Sequence, residues 1–190
     1  MKVRSISNPD LFKVLNQAKN ENHYGCDQEW YSTEWQRFSG CGPTVASNII
    51  YYLTHKGQDS TARQDKVCMS ECSALMEEIW KYVTPTSEGI PTTKMLIDAM
   101  LSYVTSKGLN FEHRFLDVPK EEDSRPTLPE LVVFLESALS KDVPVAFLNL
   151  CNGEEQNLEG WHWVTIISLE YGKKEETIYV HILDEGLIKK

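Results

Sequence analysis

Five cysteines and five histidines are spread along the 190 residues, and one of each stands where its chemistry could be used. Cys41 lies in Gly40-Cys41-Gly42-Pro43, just ahead of Val45, Ile49, Ile50 and Leu53, whose spacing predicts a helix that stops near Gly57. A thiol in the first turn of a helix faces unpaired N–H groups and the positive end of the helix dipole, and both stabilise a thiolate. The flanking glycines are expected to leave room for a substrate carbonyl, and the Cys41 N–H could donate to the oxyanion formed there. Taken alone, Cys41 reads equally well as a buried thiol in a Gly-Pro turn.

A nucleophilic thiol needs a base. Of His23, His55, His113, His162 and His181, the best placed is His162, in Gly160-Trp161-His162-Trp163-Val164 at the entry of an apolar strand, where an imidazole serves no packing purpose. His181, between Val180 and Ile182, reads first as a half-exposed strand residue. Asp184, in Ile182-Leu183-Asp184-Glu185-Gly186, is either a turn-capping carboxylate or the group that fixes the imidazole tautomer. A hairpin centred on Lys173 would pair Tyr171 with Glu175 and bring His162 directly opposite Asp184, with Cβ atoms about 4.5–5.5 Å apart. A centre half a residue away would send the two side chains to opposite faces.

The elements that must carry these groups follow from periodicity. A short helix is expected from Ser7-Asn8-Pro9 to about Ala18, then an irregular aromatic-rich stretch over 21–40. Amphipathic helices are predicted over 70–83 and from Thr92 or Thr93 to Ser106, and the Thr127-Leu128-Pro129-Glu130 capping box opens another. Strands are predicted over 143–150, 161–169 and 177–184, with little room for a further strand after Asp184. The expected fold is therefore α+β in a single domain, a helical half over about 1–140 carrying the cysteine and an antiparallel sheet half over about 141–190 carrying the histidine.

Composition narrows the partners. Acidic residues outnumber basic ones 28 to 19, a formal charge of −9 with no basic block, which argues against nucleic acid. Neither a secretory signal nor an apolar run of membrane-spanning length is present, so a cytoplasmic protein with no membrane association is expected. An odd number of scattered cysteines points to free thiols. Cys68 and Cys72 share a helical face, but no second pair at zinc spacing accompanies them, and packing is their expected role. Neither metal nor cofactor is expected.

The series Gln36, Gly40-Cys41-Gly42-Pro43-Thr44 opening a helix, Val143-Pro144-Val145, Gly160-Trp161-His162-Trp163-Val164 and Leu183-Asp184 resembles the papain-like cysteine peptidase superfamily. It is most similar to the branch of bacteriocin-leader (double-glycine) peptidases and their stand-alone relatives. The resemblance implies a papain-like fold in which Gln36 donates to the oxyanion, Cys41 is the nucleophile, His162 the base and Asp184 the orienting carboxylate. A peptide or protein substrate would be cleaved at a peptide or amide bond through a thioester. Gln36 stands five residues before Cys41, where the branch has six, which keeps Gln28 or the backbone alone open as oxyanion donors. The same three residues would serve a transglutaminase- or deamidase-type acyl transferase, and a catalytically silent papain-like binding module is the non-enzymatic alternative. Trp30, Tyr31, Trp35, Trp161 and Trp163 either line a substrate cleft or pack the two halves together.

Overall fold

The computed structural model describes residues 2–57, 67–151, 155–172 and 177–190. The chain folds as a mixed α+β structure in which five helices pack against a curled antiparallel sheet. The helices are α1 (Glu34–Ser39), α2 (Cys41–His55), α3 (Met69–Trp80), α4 (Thr93–Ser106) and α5 (Leu128–Ser140). The strands are β1 (Lys2–Ser5), β2 (Lys13–Asn16), β3 (Glu21–Tyr24), β4 (Val67–Cys68), β5 (Val145–Asn149), β6 (His162–Tyr171), β7 (Ile178–Asp184) and β8 (Leu187–Lys189).

The predicted long helices begin where their caps are. Thr92 Oγ1 accepts the Met95 N–H ahead of α4, and Glu130 receives the Thr127 N–H at 2.7 Å and its hydroxyl at 2.8 Å ahead of α5. The central helix α2 is buried along nearly its whole length, with Val45, Ala46, Ile49 and Ile50 packed against α3, α4 and Trp163. At its far end the buried Tyr52 hydroxyl donates to Asp142 Oδ1 at 2.6 Å, and the Ser7 N–H reaches the same oxygen at 2.6 Å. One tyrosine thus ties α2 to the N-terminal segment and to the turn after α5.

Strand β6 is the spine of the larger sheet. Along one edge it pairs with β7; along the other it pairs with β5 over His162 to Ile166 and with β1 over Ser168 to Tyr171. Layers cover it on both faces, which is why its residues read as a continuous apolar run and not an alternation.

Four expectations are corrected. The segment after Pro9 is a 3-10 turn over Pro9–Phe12 followed by β2, because burial there runs at period two: Phe12 and Val14 are inside and Lys13 is half-exposed. The stretch over 21–40 is ordered into β3, a 3-10 turn at Gln28–Trp30 and α1, which starts at a Thr33–Gln36 capping box. A division into helical 1–140 and sheet 141–190 therefore fails: β1 joins the main sheet from the far end of the chain, and β3-β2-β4 form a second small sheet in the first half. Finally, β8 follows Asp184 directly, the chain reversing at Glu185 and Gly186, both at positive φ (51° and 69°) as a tight two-residue hairpin turn requires.

Candidate active site

Cys41 is the first residue of α2, with Gly40 as the N-cap. The N–H groups of this first turn, including that of Cys41, have no acceptors within their own helix. The two neighbouring glycines do not open a path for substrate, contrary to the expectation above. A Cβ on Gly40 would lie 2.8 Å from the Tyr31 ring, and one on Gly42 would lie 2.8 Å from Ile90 Cδ1. Both positions lack a side chain because the protein's own packing fills the space.

His162 opens β6 and Asp184 closes β7, and the two side chains meet with Nε2 2.7 Å from Oδ1. The register that achieves this is not the predicted one. Thr165 pairs with Leu183 and Ile166 with Ile182; past an irregularity at Ile167, Ser168 pairs with His181 and Tyr171 with Ile178, not Glu175. The proposed turn centre at Lys173 lies outside the described residues. One step further along the ladder Asp184 is level with Val164, two residues from His162. A displacement of two keeps both side chains on one face, and a diagonal pair is within reach of long side chains. The contact therefore survives an error in register that a shift of one residue would not.

The imidazole is nearly enclosed, its side chain 12% exposed. Burial works against its charged form, but the hydrogen bond to Asp184, the adjoining Cys41 and their negative charges outweigh burial and hold His162 up at about 10. With Nε2 engaged by Asp184, Nδ1 is the ring nitrogen left for the sulfur. Burial likewise pushes the Asp184 carboxyl up, and the bonds from His162 and Lys189 more than reverse it, leaving it below its ordinary value.

Lys189 is the member of this group that the sequence did not suggest. It lies on β8, and its Nζ is 2.8 Å from Asp184 Oδ2 and 2.5 Å from Glu185 Oε2. Each Asp184 oxygen thus receives one cation, which holds the carboxylate ionised and fixed in rotation. The turn that returns Lys189 packs tightly: a Cβ on Gly186 would sit 2.9 Å from His23 Nδ1, and the Gly186 carbonyl accepts the Tyr24 N–H at 2.7 Å.

Cys41, His162 and Asp184 line one small cavity of about 20 Å³ together with Cys26, Gln28, Thr44, Asn48 and Glu185. Such a volume admits about one water or a carbonyl oxygen, not a side chain. Gln36 is not among these residues. Its Oε1 accepts from the Thr33 N–H, the Thr33 hydroxyl and Ser32 Oγ, and its Nε2 donates to Glu77 Oε2 at 2.8 Å. Its amide oxygen caps α1 and its amide nitrogen is turned to Glu77, so the side chain is held outside the cavity that Cys41 lines, whereas Gln28, the alternative, stands in the cavity wall. Asn48, two turns along α2 from Cys41, is buried there as a strut: Oδ1 accepts the Cys26 N–H at 2.8 Å and Nδ2 donates to Thr165 Oγ1 at 3.3 Å.

The remaining candidates separate cleanly. His181 lies against Glu170, 3.7 Å away, on the stretch of β7 paired with Ser168. Cys26 and Cys72 are buried in one apolar cluster, where their mutual hydrogen bond and then burial push the Cys26 thiol well up. Cys68 caps α3. Among the aromatic residues Tyr31 packs edge-on against Trp80, Trp30 against His23, and Trp163 is buried with its Nε1 donating to the Ile90 carbonyl. Trp35 and Trp161 are 45% and 65% exposed, and Trp161 holds a left-handed backbone at φ 57°, a costly conformation for a bulky residue, directly before His162. Among the described residues no group of three or more His, Cys, Asp or Glu side chains could hold a metal ion, and no helix is long and apolar enough to cross a membrane. No protein-family model matches the sequence, and no curated protein or solved structure matches it either.

Proposed function

We propose that the chain is a papain-like cysteine hydrolase that cleaves a peptide or amide bond through a thioester. The observation that carries this reading is the position of His162, whose imidazole lies between the Cys41 thiol at a helix N-terminus and the Asp184 carboxylate. In the reaction the Cys41 sulfur attacks the substrate carbonyl carbon while the imidazolium of His162 gives its proton to the leaving amine. Water, deprotonated by the now neutral His162, then attacks the thioester carbon, releasing the acid and restoring the thiolate and imidazolium. The first-turn N–H groups of α2 and the Gln28 amide are the donors available to the oxyanion.

The narrow cavity favours a substrate main chain laid across the surface, its flanking side chains outside the cavity. A library of internally quenched fluorogenic peptides tests the proposal. Cleavage by the wild-type chain, its loss in Cys41→Ala, and a substrate-acyl mass adduct on Cys41 are expected. A library left intact by a folded wild-type chain, or cleaved equally well by Cys41→Ala, would overturn it.

A further inference from the structure

Away from Cys41, helices α4 and α5 face each other across a cavity of about 830 Å³. Protein interiors are close-packed, with few voids larger than a water molecule, and ligand sites span about 300–1,000 Å³. Leu96, Met100 and Val104 form the α4 wall, Phe134 and Ala138 the α5 wall, and Trp163 of β6 contributes to the floor. Among the described residues the buried side-chain polar atoms without a partner are His23 Nε2, Tyr31 Oη and Thr44 Oγ1, none of them on these walls, so no buried polar group there awaits a ligand, and the walls are mostly apolar.

The segment over 111–117, which belongs to no helix or strand, and the residues 124–126 line the rest of this half-open cavity, and the C-terminal end of the segment is braced. Thr93 Oγ1 donates to Asp117 Oδ1 at 2.6 Å, and the Arg125 guanidinium donates to the Pro119 and Lys120 carbonyls at 3.0 and 2.7 Å. The charged groups at the rim are thereby sorted. Asp117 is held by Thr93, Glu130 by its capping box and Arg125 by the two carbonyls. Arg114 and Lys141 are exposed there and have no side-chain partner among the described residues, with Glu112 as the one uncommitted carboxylate. Formal charge at the rim balances, Arg114, Arg125 and Lys141 against Glu112, Asp117 and Glu130, and Arg114 and Lys141 are the two cations whose side chains are free to turn to a ligand.

We infer that this cavity is a binding site for a monomeric long-chain carboxylate, its alkyl chain between α4 and α5 and its head group at Arg114 and Lys141. The apolar walls take the chain for the methylene surface it removes from water, and the two cations select an anionic head. Cys41, His162 and Asp184 do not line this cavity, and although Trp163 borders both, the ligand is far too large for the cavity of about 20 Å³ beside Cys41, so its test stands apart from theirs.

Trp163 is the one tryptophan among the residues that line the cavity, which makes it the reporter. Titration of the whole chain with a bromine-substituted fatty acid should quench its emission saturably, with one ligand per chain. For unbrominated competitors of increasing length, affinity should rise about fourfold per methylene until the cavity is full and then level off. Ala138→Phe, which places a ring in the cavity, should abolish the quenching in a chain that melts as the wild type does. The double variant Arg114→Gln, Lys141→Gln should weaken the carboxylate about tenfold while leaving the matching alcohol unchanged. Quenching that never saturates, affinity that climbs with length without levelling, quenching by brominated lipid vesicles but not by the monomeric acid, or equal binding of acid and alcohol to the wild type would each overturn the inference. The length series uses the wild-type chain, so a poorly folding Ala138→Phe does not spare it.

Discussion

The charge on His162 is set by a contest among neighbours, and each neighbour can be removed. Burial alone would lower the imidazole, so Asp184→Asn should move its titration down from about 10, read from the ring C–H resonances by NMR. Lys189→Met should move it the other way, since it removes a competing cation and leaves the Asp184 charge to His162 undivided. If both substitutions shifted the titration alike, Lys189 would be a surface residue and not a positioning one. The raised value also has a stability consequence. A group whose folded pKa lies above its ordinary 6.5 contributes its full stabilisation below pH 6.5, and that contribution is lost as pH climbs towards about 10. The two glutamines give a second residue-scale test. Gln28→Ala should lower turnover by about 10²–10³-fold, the usual cost of one oxyanion donor, with folding intact. Gln36→Ala should cost about 1 kcal/mol of stability, as loss of a helix cap does, with little change in turnover. Spacing pointed to Gln36, and spacing could not reveal that the side chain was already committed to Thr33 and Glu77.

At the scale of elements, the sequence was legible wherever one element's own residues decide its form. The helices at 93–106 and 128–140 and the helix opening at Cys41 all follow from caps and apolar spacing. Legibility failed where pairing partners are distant. Nothing local announces that Lys2–Ser5 completes the edge of β6, and the short polar β2–β3 hairpin, with Phe12 and Val14 as its buried markers, imitates a helix start after Pro9. The His162–Asp184 hairpin was right in partner and wrong in register, because the irregularity at Ile167 and a connection over 172–177 cannot be counted from residue types. The strut at Asn48 shows what the elements depend on. Asn48→Leu keeps the volume but leaves the Cys26 N–H buried and unpaired, so urea unfolding should show a loss of about 1–3 kcal/mol. A loss within about 0.5 kcal/mol, the size of an ordinary surface change, would mean that α2 is held to the sheet by apolar contacts alone.

For the whole molecule, a helix carries the thiol, a strand carries the imidazole, and the end of the next strand carries the carboxylate. The reading as a cysteine hydrolase depends on these three acting as one unit. A brief iodoacetamide pulse at about pH 5.5, followed by peptide mapping, tests this most directly, because an ordinary thiol of pKa about 8.5 is then ionised to about one part in a thousand. Cys151 is exposed and serves as the internal control for access, while Cys26 and Cys72 are buried. The predicted result is label on Cys41 with Cys151 unmarked, and loss of that label in a folded His162→Ala chain. Label on Cys151 equal to that on Cys41, or a Cys41 rate indifferent to His162→Ala, would contradict it.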